Sequence, residues 1–248
     1  MKKFLIATAG LVILAAPALG ADMAARPMYS KPAPAPVLAV FSWTGFYIGG
    51  QVGYSWRDDA NTERFVATGL ADGWRADSRP TGVVGGGHVG YNWQTGAFVL
   101  GVEGDIEGSG VRGTGFYRLN GGAAILDNVT ERTDWQASLR GRAGFAVNNW
   151  LFYGTGGAAF ANLRHTYTSV VGGNGSLAFT NSRTGWTAGG GIEYGFTPNW
   201  STRVEYRYTD FGTITNNVGA LFGVATFQDQ RVRDSTVRAA ISYRFGGM

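Results

Sequence analysis

The chain has 248 residues, with 40 glycines, 7 prolines, no cysteine and a formal net charge of +4 at pH 7. The lack of cysteine excludes a disulfide framework and thiolate chemistry, and no 18-residue apolar run follows the first twenty residues, which excludes a spanning helix there. Two of the positive charges, Lys2 and Lys3, lie in a segment expected to be removed, which takes the charge from +4 to +2 and leaves no electrostatic case for nucleic acid.

Residues 1–20 read as a secretory signal peptide. Lys2 and Lys3 are followed by an apolar stretch from Phe4 to Ala16 and a small-x-small site at Ala18-Leu19-Gly20. Residues 21–41 carry Pro27, Pro32, Pro34 and Pro36 and read as a Pro/Ala-rich periplasmic leader that acts as a tether. Residues 42–248 form the expected barrel domain.

From Trp43 onward the patterning has period two, the mark of strands with two unlike faces. In the first strand Phe46, Ile48, Val52, Tyr54 and Trp56 oppose Tyr47, Gly49, Gln51, Gly53 and Ser55. The second sets Val83, Val89, Tyr91 and Trp93 against His88 and Asn92, and the third sets Phe98, Leu100, Val102 and Ile106 against Glu103, Asp105 and Glu107. In the fourth, Trp135, Ala137, Leu139, Ala143 and Phe145 face away from Gln136, Ser138, Arg140 and Arg142. The fifth, Trp150 to Leu163, has small or apolar residues on both faces and its facing stays open. The sixth opposes Trp186, Ala188, Ile192, Tyr194 and Phe196 to Thr187 and Glu193. The seventh opposes Trp200, Thr202, Val204, Tyr206 and Tyr208 to Arg203, Glu205 and Arg207. The eighth opposes Val237, Ala239, Ile241, Tyr243 and Phe245 to Arg238, Ser242 and Arg244.

Short connections at Gln94-Thr95-Gly96, Asn148-Asn149 and Thr197-Pro198-Asn199 alternate with long polar ones at roughly 58–79, 108–131, 164–183 and 212–232. That alternation predicts an eight-stranded antiparallel up-and-down transmembrane β-barrel, with short periplasmic turns and four long extracellular loops. A soluble barrel would turn its apolar face inward, but here the polar face carries mid-strand charges. The apolar face also carries aromatics at its ends. Trp43, Trp93, Trp150 and Trp200 lie beside the short turns, and Trp56, Trp135 and Trp186 lie toward the long loops, as two girdles around an apolar band.

At Trp43-Thr44-Gly45-Phe46-Tyr47-Ile48-Gly49-Gly50 the chain resembles the small porin-like outer-membrane barrels of rhizobia, brucellae and bartonellae. The resemblance continues through Gly101-Val102-Glu103-Gly104-Asp105, Leu139-Arg140-Gly141-Arg142-Ala143-Gly144, Gly189-Gly190-Gly191-Ile192-Glu193-Tyr194 and Val204-Glu205-Tyr206-Arg207-Tyr208, and ends at Tyr243-Arg244-Phe245. It implies an abundant surface-exposed barrel in the bacterial outer membrane, and some relatives are described as haemin-binding adhesins. It also makes Phe245 the terminal aromatic read by the barrel-assembly machinery, although this chain continues as Gly246-Gly247-Met248.

Glu103, Asp105, Glu107, Glu193 and Glu205 are expected in the lumen with Arg140, Arg142, Arg203, Arg207, Arg238 and Arg244. They could form a catalytic carboxylate pair or an ion-selecting constriction. The plainer expectation is mutual pairing in a narrow interior where a lone charge is costly. No catalytic residue, metal site or cofactor is expected, because the two histidines lie far apart. His165, near Tyr167 at an expected loop mouth, is the candidate for a haem ligand. Gly85-Gly86-Gly87-His88-Val89-Gly90 matches a dinucleotide fingerprint formally, but it sits in a strand and no helix follows.

Three functions remain open: a structural, surface-exposed barrel with a charge-filled lumen and no enzymatic activity, a narrow passive-diffusion porin whose lumen glycines leave room for water, and an adhesin that binds haem or host surface molecules through its loops. The expected surroundings are outer-membrane lipid and lipopolysaccharide, and a monomer is expected.

Overall fold

The computed structural model describes residues 41–57, 59–65, 71–119, 125–169, 175–217 and 226–246; the signal peptide and nearly all of the leader lie outside them. Among the described residues eleven strands run in chain order: β1 (Gly45–Arg57), β2 (Asp59–Phe65), β3 (Ala71–Ser78), β4 (Thr81–Thr95), β5 (Phe98–Ser109), β6 (Arg112–Leu119), β7 (Ile125–Val147), β8 (Trp150–Ser169), β9 (Ser176–Gly195), β10 (Trp200–Asn217) and β11 (Thr226–Arg244). All pairings are antiparallel. β1 joins β4, β4 joins β5, β5 joins β7, and the ladder continues through β8, β9 and β10 to β11, which returns to β1. This closed ring of eight is the expected barrel. Closure gives every strand two neighbours and leaves no unpaired edge, which a lipid surround demands.

A second, incomplete ring stands on the first, open between β9 and β10, whose ladder ends at Trp186 opposite Asp210. β2 pairs with β11, β3 with β2, β6 with β3, and β7 with β6. Strand therefore continues through much of each long polar connection, and β7 to β11 run unbroken from one ring into the other. The sequence hides this because polar side chains above the membrane carry no apolar stripe to mark a strand.

Most irregularities fall where the two rings meet; two further register shifts, between Thr62 and Arg64 and between Phe116 and Arg118, lie higher up. β1 gives way to β2 after Arg57, β3 to β4 at Arg79-Pro80, and β5 to β6 at Gly110-Val111. Register shifts lie between Thr133 and Trp135 in β7, and between Asp210 and Thr213 in β10. An extra residue inverts the facing of everything beyond it. Below its bulge β7 turns Trp135 and Leu139 outward; above it Thr133, Glu131 and Val129 are buried and Arg132 is exposed.

The open facing of the fifth strand is resolved. In β8 Leu151, Tyr153, Ala159, Ala161 and Leu163 point inward, whereas Phe152 and Phe160 face outward. Small residues on both faces had concealed this. At the opposite end from the second ring, Asn148 opens its two-residue turn with φ 52°, a left-handed conformation that asparagine tolerates.

Candidate functional site

The barrel interior is the one place where the described residues concentrate buried charge. Five carboxylates (Glu103, Asp105, Glu107, Glu193, Glu205) and five guanidinium groups (Arg140, Arg142, Arg203, Arg207, Arg238) are all buried. Their strand alternation aims them inward, and the antiparallel register sets opposite charges across from one another: Glu103 faces Arg140 on β7, and Glu205 faces Arg238 on β11.

Glu103 is the hub. It accepts hydrogen bonds from Arg140 and Arg203 and from the Tyr47 hydroxyl at 2.8 Å, and Arg142 stands 3.9 Å away. Arg140 also reaches Asp105 at 3.1 Å and Glu205 at 3.0 Å. Arg207 bridges the same two carboxylates at 3.1 and 3.0 Å. Above them Arg238 grips both oxygens of Glu107 at 2.8 Å, while Gln51 and Gln136 donate to the same carboxylate. Below them Arg142 donates to Glu193 at 2.7 Å, and its guanidinium lies 4.0 Å from the centre of the Tyr153 ring. Five charges of each sign, interlocked by bidentate and charge-assisted bonds, supply the mutual compensation that buried ions require.

At Gly90 and Gly191 the space that glycine leaves is taken by tyrosine side chains. A Cβ at Gly90 would lie 2.4 Å from the Tyr47 hydroxyl, and one at Gly191 would lie 2.8 Å from the Tyr153 hydroxyl. Each glycine clears a path along which a neighbouring tyrosine reaches a carboxylate, Glu103 or Glu205, at 2.8 Å. His88 is likewise a packed lumen residue, with Nε2 2.8 Å from the Ser242 hydroxyl.

Trp43 departs from the expected girdle. It is fully buried at the mouth beside the short turns, packed with Phe41, Val99, Leu151 and Tyr153. The cause is local: Gly45, the first residue of β1, has φ 136° and bends the chain there, and the Gln94 side chain accepts a bond from the Trp43 amide at 2.6 Å. Arg244 stacks over Phe41 and Trp43 at 4.5 and 5.1 Å and donates to the Pro198 carbonyl, apart from the carboxylate network. The other six girdle tryptophans (Trp93, Trp150, Trp200, Trp56, Trp135 and Trp186) lie on the outer face and none is buried. Phe245 is half exposed and stacks on Phe46 and Tyr243 at 5.6 and 5.0 Å; Gly247 and Met248 lie outside the described residues.

His165 and Tyr167 are not at a loop mouth. Both are buried inside the upper ring, 1% and 3% exposed. His165 faces Glu131 across the β7–β8 ladder, and neither of its ring nitrogens has a hydrogen-bond partner among the described residues. Burial holds its pKa below the usual imidazole range. A haem approaching from outside would not reach that ring. Beneath it Leu163, Phe211, Ile214, Val232, Ala159 and Ala161 form an apolar layer across the lumen. No sequence signal marked that layer, since its members lie in segments with too little polarity contrast.

Residues 32–245 match the family described as outer membrane protein beta-barrel domain. The chain is 33% identical over 259 residues to the 31 kDa outer-membrane immunogenic protein of Brucella melitensis, with 99% of this chain and 100% of that protein covered. It is 34% identical over 177 residues to the 22 kDa outer membrane protein of Rhizobium leguminosarum bv. viciae, with 71% and 68% covered. Among solved structures, the outer membrane protein OprG from Pseudomonas aeruginosa shares the fold, with a TM-score of 0.54, 16% identity, and coverage of 82% of this chain and 96% of that one.

Proposed function

Because the chain belongs to the outer-membrane protein β-barrel domain family, we propose that it is a closed, non-enzymatic barrel that carries its upper ring as a surface structure. The observation that bears most weight is the interlocked charge network. An eight-stranded ring is only just wide enough for its own side chains, and here ten paired ionic groups occupy it. The Trp43–Phe41 cap below and the Leu163–Phe211–Ile214 layer above add two further seals. Every carboxylate in the network accepts from at least one arginine, so none is left as a free general base. The immunogenic naming of the Brucella relatives supports presentation of the upper ring at the cell surface.

Single-channel recording in planar bilayers tests this reading. The wild-type protein is expected to be silent, and the Arg140→Ala/Arg142→Ala variant is expected either to leak or to lose stability. Reproducible conductance steps from folded wild type would overturn the closed barrel and favour the narrow porin.

A further inference from the structure

Three arginines stand side by side on the outer face of the barrel, just above the aromatic belt. Arg112 on β6 lies directly opposite Arg132 on β7, and Arg132 lies directly opposite Arg164 on β8. All three are exposed. Like charges at directly opposed strand positions repel, and two such pairs in a row are unfavourable unless an anion lies across them. The protein supplies one partial remedy: Asp134, the bulge residue, pairs with Arg132 at 2.6 Å and reaches Arg164 at 3.8 Å. Among the described residues Arg112 has no carboxylate partner, so the row keeps a surplus of two positive charges.

A second outer-face pair offers a comparison. Arg231 and Arg233 on β11 both turn to Asp210, at 2.9 and 3.5 Å, and cover its carboxylate. This pair shares one carboxylate, as Arg132 and Arg164 share Asp134, whereas the row of three adds a third arginine, Arg112, on the adjacent strand.

Height identifies what the row meets. Trp135 is the next outward side chain below Arg132, and the exposed Phe160 lies below Arg164 on β8. Girdle aromatics mark the membrane–water boundary, so guanidinium groups one step above them lie at headgroup level. Arginine presents a planar fork that matches phosphate oxygens in pairs.

We propose that Arg112, Arg132 and Arg164 form a binding site for the phosphate groups of an outer-leaflet glycolipid. The three guanidinium groups clamp phosphate while Trp135 and Phe160 pack against the first segments of the acyl chains. The site lies on the outer face and stands whether or not the lumen conducts.

The test uses the folded full-length protein in nonionic detergent micelles, with affinity read by thermophoresis. The ligands are bis-phosphorylated lipid A, the same lipid dephosphorylated, inorganic phosphate, and heparin as a sulfated polysaccharide. Phosphorylated lipid A is expected to bind at least about tenfold tighter than the dephosphorylated form. Arg112→Gln alone should weaken it about tenfold, and Arg112→Gln/Arg132→Gln/Arg164→Gln should abolish the difference. Arg231→Gln/Arg233→Gln should stay within about twofold of wild type, and millimolar inorganic phosphate should not compete. Equal affinity for the two lipids, an unchanged Arg112→Gln variant, or loss of heparin binding alone in the triple variant would each overturn the proposal, the last in favour of a polysaccharide site. Because Arg112 has no carboxylate partner among the described residues and faces outward, its single variant keeps the barrel intact should the triple variant fail to fold.

Discussion

The membrane-level ring and the upper ring share β7 to β11, and along these strands the facing of apolar and charged residues changes. On β10 the lower residues Arg203, Glu205 and Arg207 are buried while Val204 and Tyr206 face outward; above the bulge Phe211 and Ile214 are buried while Thr213 and Thr215 face outward. β8 and β11 change character in the same way: Phe160 and Val237 face outward low on the barrel, and Arg164 and Arg233 do so higher up. The surroundings explain the difference. Against lipid, polar groups must satisfy one another inside. Against water, apolar groups withdraw inside and most arginines turn out, although Glu131 stays buried beside His165. The two bulges reconcile these demands, each with a shift of phase between the rings.

The comparison can be broken most severely from the charged side. Arg140→Ala should cost about 3–5 kcal/mol, because Glu103, Asp105 and Glu205 each lose a buried partner; denaturant unfolding of the refolded protein in micelles measures it, and a loss under about 1 kcal/mol would mean that water enters the lumen and screens the network. In the upper ring the corresponding core change is Leu163→Ala, expected to cost about 2–4 kcal/mol in the same assay. A near-neutral result there would mean that the apolar layer does not pack as a core. Gly212→Ala probes the hinge between the rings. Gly212 has φ 75° with nothing within 4 Å of an added Cβ, so the change should cost about 1–2 kcal/mol through backbone strain alone. Gly212→Asn should cost less.

The smallest expected effect is a pH dependence. Burial keeps the folded pKa of His165 below its unfolded value, so below the ordinary imidazole range the unfolded chain binds the extra proton. Stability should therefore fall as pH falls from 7.5 through that range, and His165→Gln should flatten this part of the slope. An identical slope in the variant would assign the pH dependence to other groups.

How much of this was legible in the sequence follows the same division. The eight membrane-crossing segments and nearly all their facings are readable, because lipid imposes a strict alternation of apolar and polar residues. The charge network is readable as a set for the same reason, although its pairing depends on register. Glu103 gathers three arginines from β7 and β10, and no spacing along the chain announces that. Above the girdle the alternation weakens and changes sign, so strand reads as polar loop and His165 reads as exposed. Trp43 misleads for another reason: an aromatic beside a turn is usually interfacial, and only the backbone bend at Gly45 sends it inward.

That bend has a mechanical consequence. Trp43 and Phe41 precede the first strand, and Arg244 ends the last one, so their stacking clasps the two ends of the chain beside the seam where β1 meets β11. A pull on the N-terminus loads this clasp before it loads the ladder of hydrogen bonds. Force traces should therefore begin with a small, separate rupture that Trp43→Gly removes. A first event in which the whole β1 ladder peels at once would show that the clasp bears no tension. A ring closed without a covalent link between its ends thus carries a latch at the point where it would otherwise begin to unzip.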